Sequence, residues 1–196
     1  MKKQASRLAV LAGILSLGAP VLARAADADP AVARVEAFDQ TMVAVARQGV
    51  TPARVRPAIE QFFNLAFMAE VAVGPSWAGM SPSDRQIVLD SLNRYTETRY
   101  AFEFRDYSGQ TIVVDPAAQV RGPDHLVRAE VHEKGEAPVK IGYRLREFGG
   151  QWKIIDVFYQ GVSQLATQRS DFAGALASGG AQGLARKLDA ATAKLK

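Results

Sequence analysis

The chain has 196 residues, with 24 Lys or Arg against 20 Asp or Glu and no cysteine. Four of the basic residues (Lys2, Lys3, Arg7 and Arg24) and none of the acids fall in the first 25 positions, so the remainder carries 20 of each sign. That balance removes the electrostatic basis for nucleic-acid binding, and the missing cysteines exclude a disulfide scaffold, so the fold rests on core burial.

Residues 1–25 have the three parts of a secretory signal: a basic start, an apolar run from Leu8 to Leu22, and the small residues of Ala23-Arg24-Ala25. Gly18-Ala19-Pro20 interrupts the run too early for a spanning helix, which needs about 20 apolar residues. Cleavage is expected after Ala25, leaving a single domain over 26–196. No cysteine is present there to carry a lipoprotein anchor.

The first half reads helical. Val32, Val35, Phe38, Met42 and Val45 recur at helical spacing and predict a helix over 31–47, ended at Gly49. Thr51-Pro52 starts the next element, and Pro57 fits the first turn of a helix reaching Phe67 or Val71 before Gly74-Pro75 breaks the chain. Ser81-Pro82-Ser83-Asp84 is a helix start with reciprocal capping, and that helix is expected to run to about Phe104. The second half switches to a period of two. Strands are expected over 111–119, 126–132, 139–146 and 151–159, joined by short glycine-containing turns, which argues for an antiparallel meander. Two helical segments, 163–177 and 181–195, flank Gly179-Gly180 at the end. Helices, a sheet of about four strands, then helices predict an α+β fold with helices packed on one face of the sheet.

In the third strand Val139, Ile141, Tyr143 and Leu145 alternate with Lys140, Gly142, Arg144 and Arg146, giving one dry and one wet face. The fourth strand is apolar on both faces, with Trp152, Ile154, Asp156 and Phe158 on one and Lys153, Ile155, Val157 and Tyr159 on the other. Such a strand is either a central strand covered on both sides or the wall of an internal apolar pocket. Asp156 among these neighbours needs a partner, and Arg169, one helix onward, is the candidate for a structural polar pair.

No catalytic constellation is expected. His125 and His132 lie seven residues apart on one strand and point to opposite faces, so they cannot chelate a metal together, and they read as surface or turn residues. Gly161-Val-Ser163-Gln-Leu165 lacks the second glycine of a nucleophile elbow, and Ser163 reads as a helix N-cap.

The closing stretch joins Trp152-Lys-Ile-Ile-Asp156-Val to Gly161-Val-Ser163 and Arg169-Ser-Asp-Phe172. It resembles the signature of the MlaC-type family, the toluene-tolerance auxiliary proteins, and Gln164-Leu-Ala-Thr-Gln-Arg169 is similar to its hopanoid-associated branch, HpnM. The resemblance implies an NTF2-like version of the α+β layout, with a curved sheet. It also implies a periplasmic, non-enzymatic carrier without a cofactor that holds lipid tails between sheet and helices. The implied partners are a phospholipid or hopanoid, an inner-membrane lipid transporter and an outer-membrane lipoprotein complex; a monomer is expected. The candidate lipid-binding residues are Phe62, Phe63, Phe67, Leu92, Tyr95, Phe102, Tyr143, Leu145, Trp152, Ile154 and Phe158. Two readings of another class stand beside this one. A small isomerase or dehydratase of this fold would employ Asp156 with Tyr143 or Tyr95. A ligand-free interaction module would present Lys140, Arg144 and Arg146.

Overall fold

The computed structural model describes residues 29–195. The expected signal peptide over 1–25, with its cleavage after Ala25, lies outside the described residues. Helix α1 spans Pro30–Arg47 and begins with Asp29, whose carboxylate accepts from the Ala31 amide. Its apolar stripe (Val32, Val35, Phe38, Met42) is buried, as the spacing predicts. Thr51 caps α2, Pro52–Phe62, which takes Pro57 into its interior instead of starting there. The predicted continuation to Phe67 is broken at Phe63, whose backbone is extended and forms a parallel bridge with Ile154. Asn64 then donates its amide to the Ile154 carbonyl (3.0 Å) and caps a new helix, α3, Leu65–Val73. A single turn, α4 (Ser76–Gly79), leads to the long α5, Pro82–Phe104. Ser81 caps α5, accepting from the Asp84 amide at 3.1 Å.

The sheet follows. Its strands are β1 (Thr111–Val114), β2 (Gln119–Arg121), β3 (Asp124–His132), β4 (Val139–Phe148), β5 (Gln151–Tyr159) and β6 (Val162–Ser163). The order is β1-β3-β4-β5-β6, with β2 also paired to β3, and every pairing between these strands is antiparallel. The strand predicted over 111–119 is two strands on one edge. Pro116 has no amide for the ladder, and the Asp115 side chain accepts from the Ala117 amide to form a turn at that point.

The fourth strand departs from strict alternation. Arg144 pairs with Asp156 but Leu145 with Ile154, so Ile155 is an extra residue in β5. This bulge puts Trp152 and Ile154 on one face and Asp156 and Phe158 on the other, correcting the shared face expected for all four. Phe158 lies on the outer face of the sheet with Leu126, and both crowd the position where Gly142 has no side chain.

The last helix, α6, runs Gln164–Ala193 with a kink at Gly180 (φ 55°), where two helices were expected. Beyond the kink it bends back, so that the Lys187 ammonium reaches the Asp171 carbonyl. The core between helices and sheet is built from Phe38, Phe62, Leu92, Leu145 and Ile154, all nearly inaccessible.

Candidate functional site

The inner sheet face and the helices do not close completely. Between α5, the start of α6 and strands β1, β3, β4 and β5 lies a cavity of about 710 Å³, within the range of small-ligand sites. Its sheet wall comes from alternate residues of four strands: Ile112, Val131, Ile141, Tyr143 and Val157. They share a face because Ile112 pairs with Val131 and Tyr143 with Val157. The helical wall uses two pairs of α5 residues four apart, Tyr95 with Arg99 and Tyr100 with Phe104, with Phe63 and Met68 contributed by the α2–α3 junction. The break in the predicted helix therefore matters for the site, because extended Phe63 brings its ring within 5.4 Å of Tyr100.

Polar groups concentrate on the more exposed lining positions. Arg99 bonds Glu103 at 2.7 Å and the Tyr95 hydroxyl at 3.3 Å. Glu133 on the β3–β4 turn and Gln164 and Gln168 of α6 complete that rim. The arrangement is an apolar interior with a polar entrance, suited to a ligand with an apolar body and a wet head.

On the same inner face, toward α1, Tyr143 donates its hydroxyl to Asp39 (3.1 Å). Burial pushes the Asp39 carboxyl up to about 7, and the Tyr143 hydrogen bond offsets only part of that rise. Its Oδ2 is buried without a partner. Burial also holds the Tyr143 and Tyr100 hydroxyls well above their ordinary range, with the nearby Asp39 carboxylate adding to the effect.

Three of the eleven predicted lining residues, Phe63, Tyr95 and Tyr143, meet in this cavity. Phe62, Leu92, Leu145 and Ile154 are solid core. Phe67 lies outside the cavity, packed edge-on against Phe148 at 5.5 Å between ring centroids, with the Arg146 guanidinium over its ring. Phe102 is partly exposed beneath Arg105, Trp152 stacks on His125 at 4.3 Å, and Phe158 is displaced by the bulge. Tyr100, Ile141 and Val157 were missed, although Ile141 shares the dry face already read for Tyr143.

Asp156 is not paired with Arg169. Its carboxylate accepts from the Leu165 amide (3.0 Å) and the Ser163 hydroxyl (2.6 Å), and Arg144 lies 3.4 Å away. Arg169 instead lies against Gly74. The bulge is the reason, since it turns Asp156 toward β4 and the helix start. Asp156, Tyr143 and Tyr95 therefore do not converge on one reacting position. The basic stripe is partly neutralised as well, with Arg146 bonded to Asp124 at 2.6 Å. Ser163 caps α6 as expected. His132 pairs with Glu130, while His125 is more enclosed than expected, joined to Asp29 at 2.8 Å. Among the described residues no cluster of His, Cys, Asp and Glu could hold a metal ion, and no helix is long and apolar enough to cross a membrane.

The model of the family described as MlaC protein matches residues 36–190. The chain belongs to the MlaC family. Within it, the chain is 24% identical over 139 residues to the intermembrane phospholipid transport system binding protein MlaC of Haemophilus influenzae, covering 68% of this chain and 64% of that protein. It is 28% identical over 100 residues to the toluene tolerance protein ttg2D of Pseudomonas putida, covering 51% and 46%. The chain thus spans less than two thirds of the length of the curated relatives it matches. A solved structure of a phospholipid-binding protein from Ralstonia solanacearum, in complex with a phospholipid, superposes with a TM-score of 0.73 at 24% identity. That superposition covers 84% of this chain and 98% of the other. The MlaC fold, an α+β arrangement of helices against an open antiparallel sheet, is the one described above.

Proposed function

We propose that this MlaC-family chain is a periplasmic lipid carrier without enzymatic activity. It holds the tails of a phospholipid in the cavity between α5 and the sheet and leaves the head at the polar rim. The observation that carries this reading is the cavity itself, an apolar interior of about 710 Å³ with its charged residues at the rim. The phospholipid named for the relatives and bound in the Ralstonia protein supports the same ligand class. A lipid with two long chains exposes roughly 30 methylenes, and at about 0.8 kcal/mol each its unaided transit through water is opposed by on the order of 24 kcal/mol. A carrier needs only to bury the tails and release them.

In this reading the exported chain, freed of residues 1–25, works as a monomer between an inner-membrane transporter and an outer-membrane lipoprotein complex. The test is native mass spectrometry of the protein purified from its own periplasm, with organic extraction of whatever dissociates. A one-to-one phospholipid adduct is expected. A hopanoid mass would reassign the ligand to the branch resembled by residues 164–172. Protein that carries no lipid and takes none from vesicles would overturn the carrier reading.

A further inference from the structure

At the opposite end of β5 from the cavity, an open cleft lies between α1 and the β4–β5 turn. It is lined by Pro30, Ala33, Arg34, Gln61, Trp152 and Lys153, among others. Tyr159 borders the cavity and Lys153 this cleft. Val157 lines the cavity too, so four residues of strand, about 13 Å, separate the two places along β5.

Two cations converge in the cleft. Arg34 donates from its guanidinium to the Gln61 carbonyl, and the Lys153 ammonium donates to the same oxygen at 2.6 Å. Among the described residues no carboxylate forms an ion pair with either. Asp29, at the start of α1, is engaged by His125. Contact with the last carbonyls of α2 is favourable for a cation, which accounts for one such residue. It does not account for two like charges on one oxygen. Nor does it satisfy Arg34 Nε, which is buried with no hydrogen-bond partner. A buried N–H left unmet costs about 1–3 kcal/mol. Burial also lowers the affinity of both groups for their protons, and the Arg34 charge lowers that of Lys153 further.

We propose that the Arg34–Lys153 cleft is a binding site for a phosphate-class oxyanion. The anion accepts from the guanidinium N–H groups of Arg34 that stay open to the cleft and from the Lys153 ammonium, and so balances the doubled charge. The Arg34 guanidinium is held in place from its other side by the Phe62 ring, 4.2 Å from the guanidinium carbon. The fork is thereby fixed for an oxyanion, the geometry in which arginine is most effective.

The test uses the mature protein and inorganic phosphate, following the 1H–15N resonance of Arg34 Nε at constant ionic strength. A saturable shift in the millimolar range is expected, absent with chloride. Lys153→Met keeps the aliphatic stem but removes the charge, and is expected to weaken binding about tenfold or more. Its circular dichroism and its lipid uptake into the remote cavity should be unchanged. Flotation with phosphatidylglycerol vesicles, lost in Lys153→Met, would identify a lipid head as the source of the anion. Binding of phosphate without flotation would identify the free ion. No saturable shift in the wild type, an equal response to chloride, or undiminished binding by Lys153→Met would each overturn the site.

Discussion

Asp39 occupies the same stripe of α1 as Val35 and Met42, four residues beyond one and three before the other, and is 5% exposed. Its ordinary value of 3.8 is raised to about 7 by burial. In the window between those values the folded state binds more protons than the unfolded one, so stability falls as pH rises from about 4 to about 7. At pH 8 the cost is on the order of 4 kcal/mol. Asp39→Asn keeps an acceptor for Tyr143 and removes the charge. The variant should match the wild type near pH 4 and exceed it by up to that amount at pH 8 in urea unfolding. Parallel pH profiles for the two proteins would show that Asp39 does not carry this dependence. The sequence does carry a signal for this residue, an acid inside the apolar stripe of α1. Asp156 was read correctly as a buried carboxylate and assigned the wrong partner. Its real partners are the Leu165 amide, the Ser163 hydroxyl and Arg144, which lies beside it only because of the bulge.

Among the elements, what followed from local rules was legible and what followed from pairing was not. The caps at Thr51, Ser81 and Ser163 and the break at Gly179-Gly180 depend on neighbouring residues and were read directly. The bulge at Ile155 is fixed by how β5 pairs with β4 and leaves no mark on the β5 sequence alone. Pro116 and Asn64, in contrast, were available signals for a split strand and a new helix. The kinked α6 gives a test at this scale. Gly→Ala inside a helix ordinarily gains about 0.5–1 kcal/mol. At Gly183 the added methyl would stand 2.6 Å from the Ala175 carbonyl oxygen across the bend, whereas at Gly174 nothing lies within 4 Å. The contact at Gly183 is with backbone, which cannot rotate away, and overpacking costs about 1–3 kcal/mol. Gly183→Ala should therefore lower the melting temperature and Gly174→Ala raise it slightly. Equal effects from the two would mean that the halves of α6 do not approach as described.

At the scale of the molecule, the α+β layout was readable because periodicity changes from 3.6 to 2 near residue 110. The hollow was not, because aromatic residues at helical spacing look alike in a filled core and in a cavity wall. Leu145 and Ile141 separate the two cases. They are four residues apart on one face of β4, yet Leu145 is wholly inaccessible and Ile141 borders the cavity. Leu145→Ala should cost about 2–5 kcal/mol while leaving lipid loading of the folded protein unchanged. Ile141→Trp places extra volume where about 710 Å³ is open, so its stability should change by about 1 kcal/mol or less. Its lipid occupancy, read by native mass spectrometry after exposure to vesicles, should fall severalfold. The opposite pattern, with loading lost in Leu145→Ala and kept in Ile141→Trp, would place the tails elsewhere in the fold. In the proposed function, stability and carriage are separable because the helices close over one end of the inner sheet face and stand off from the other.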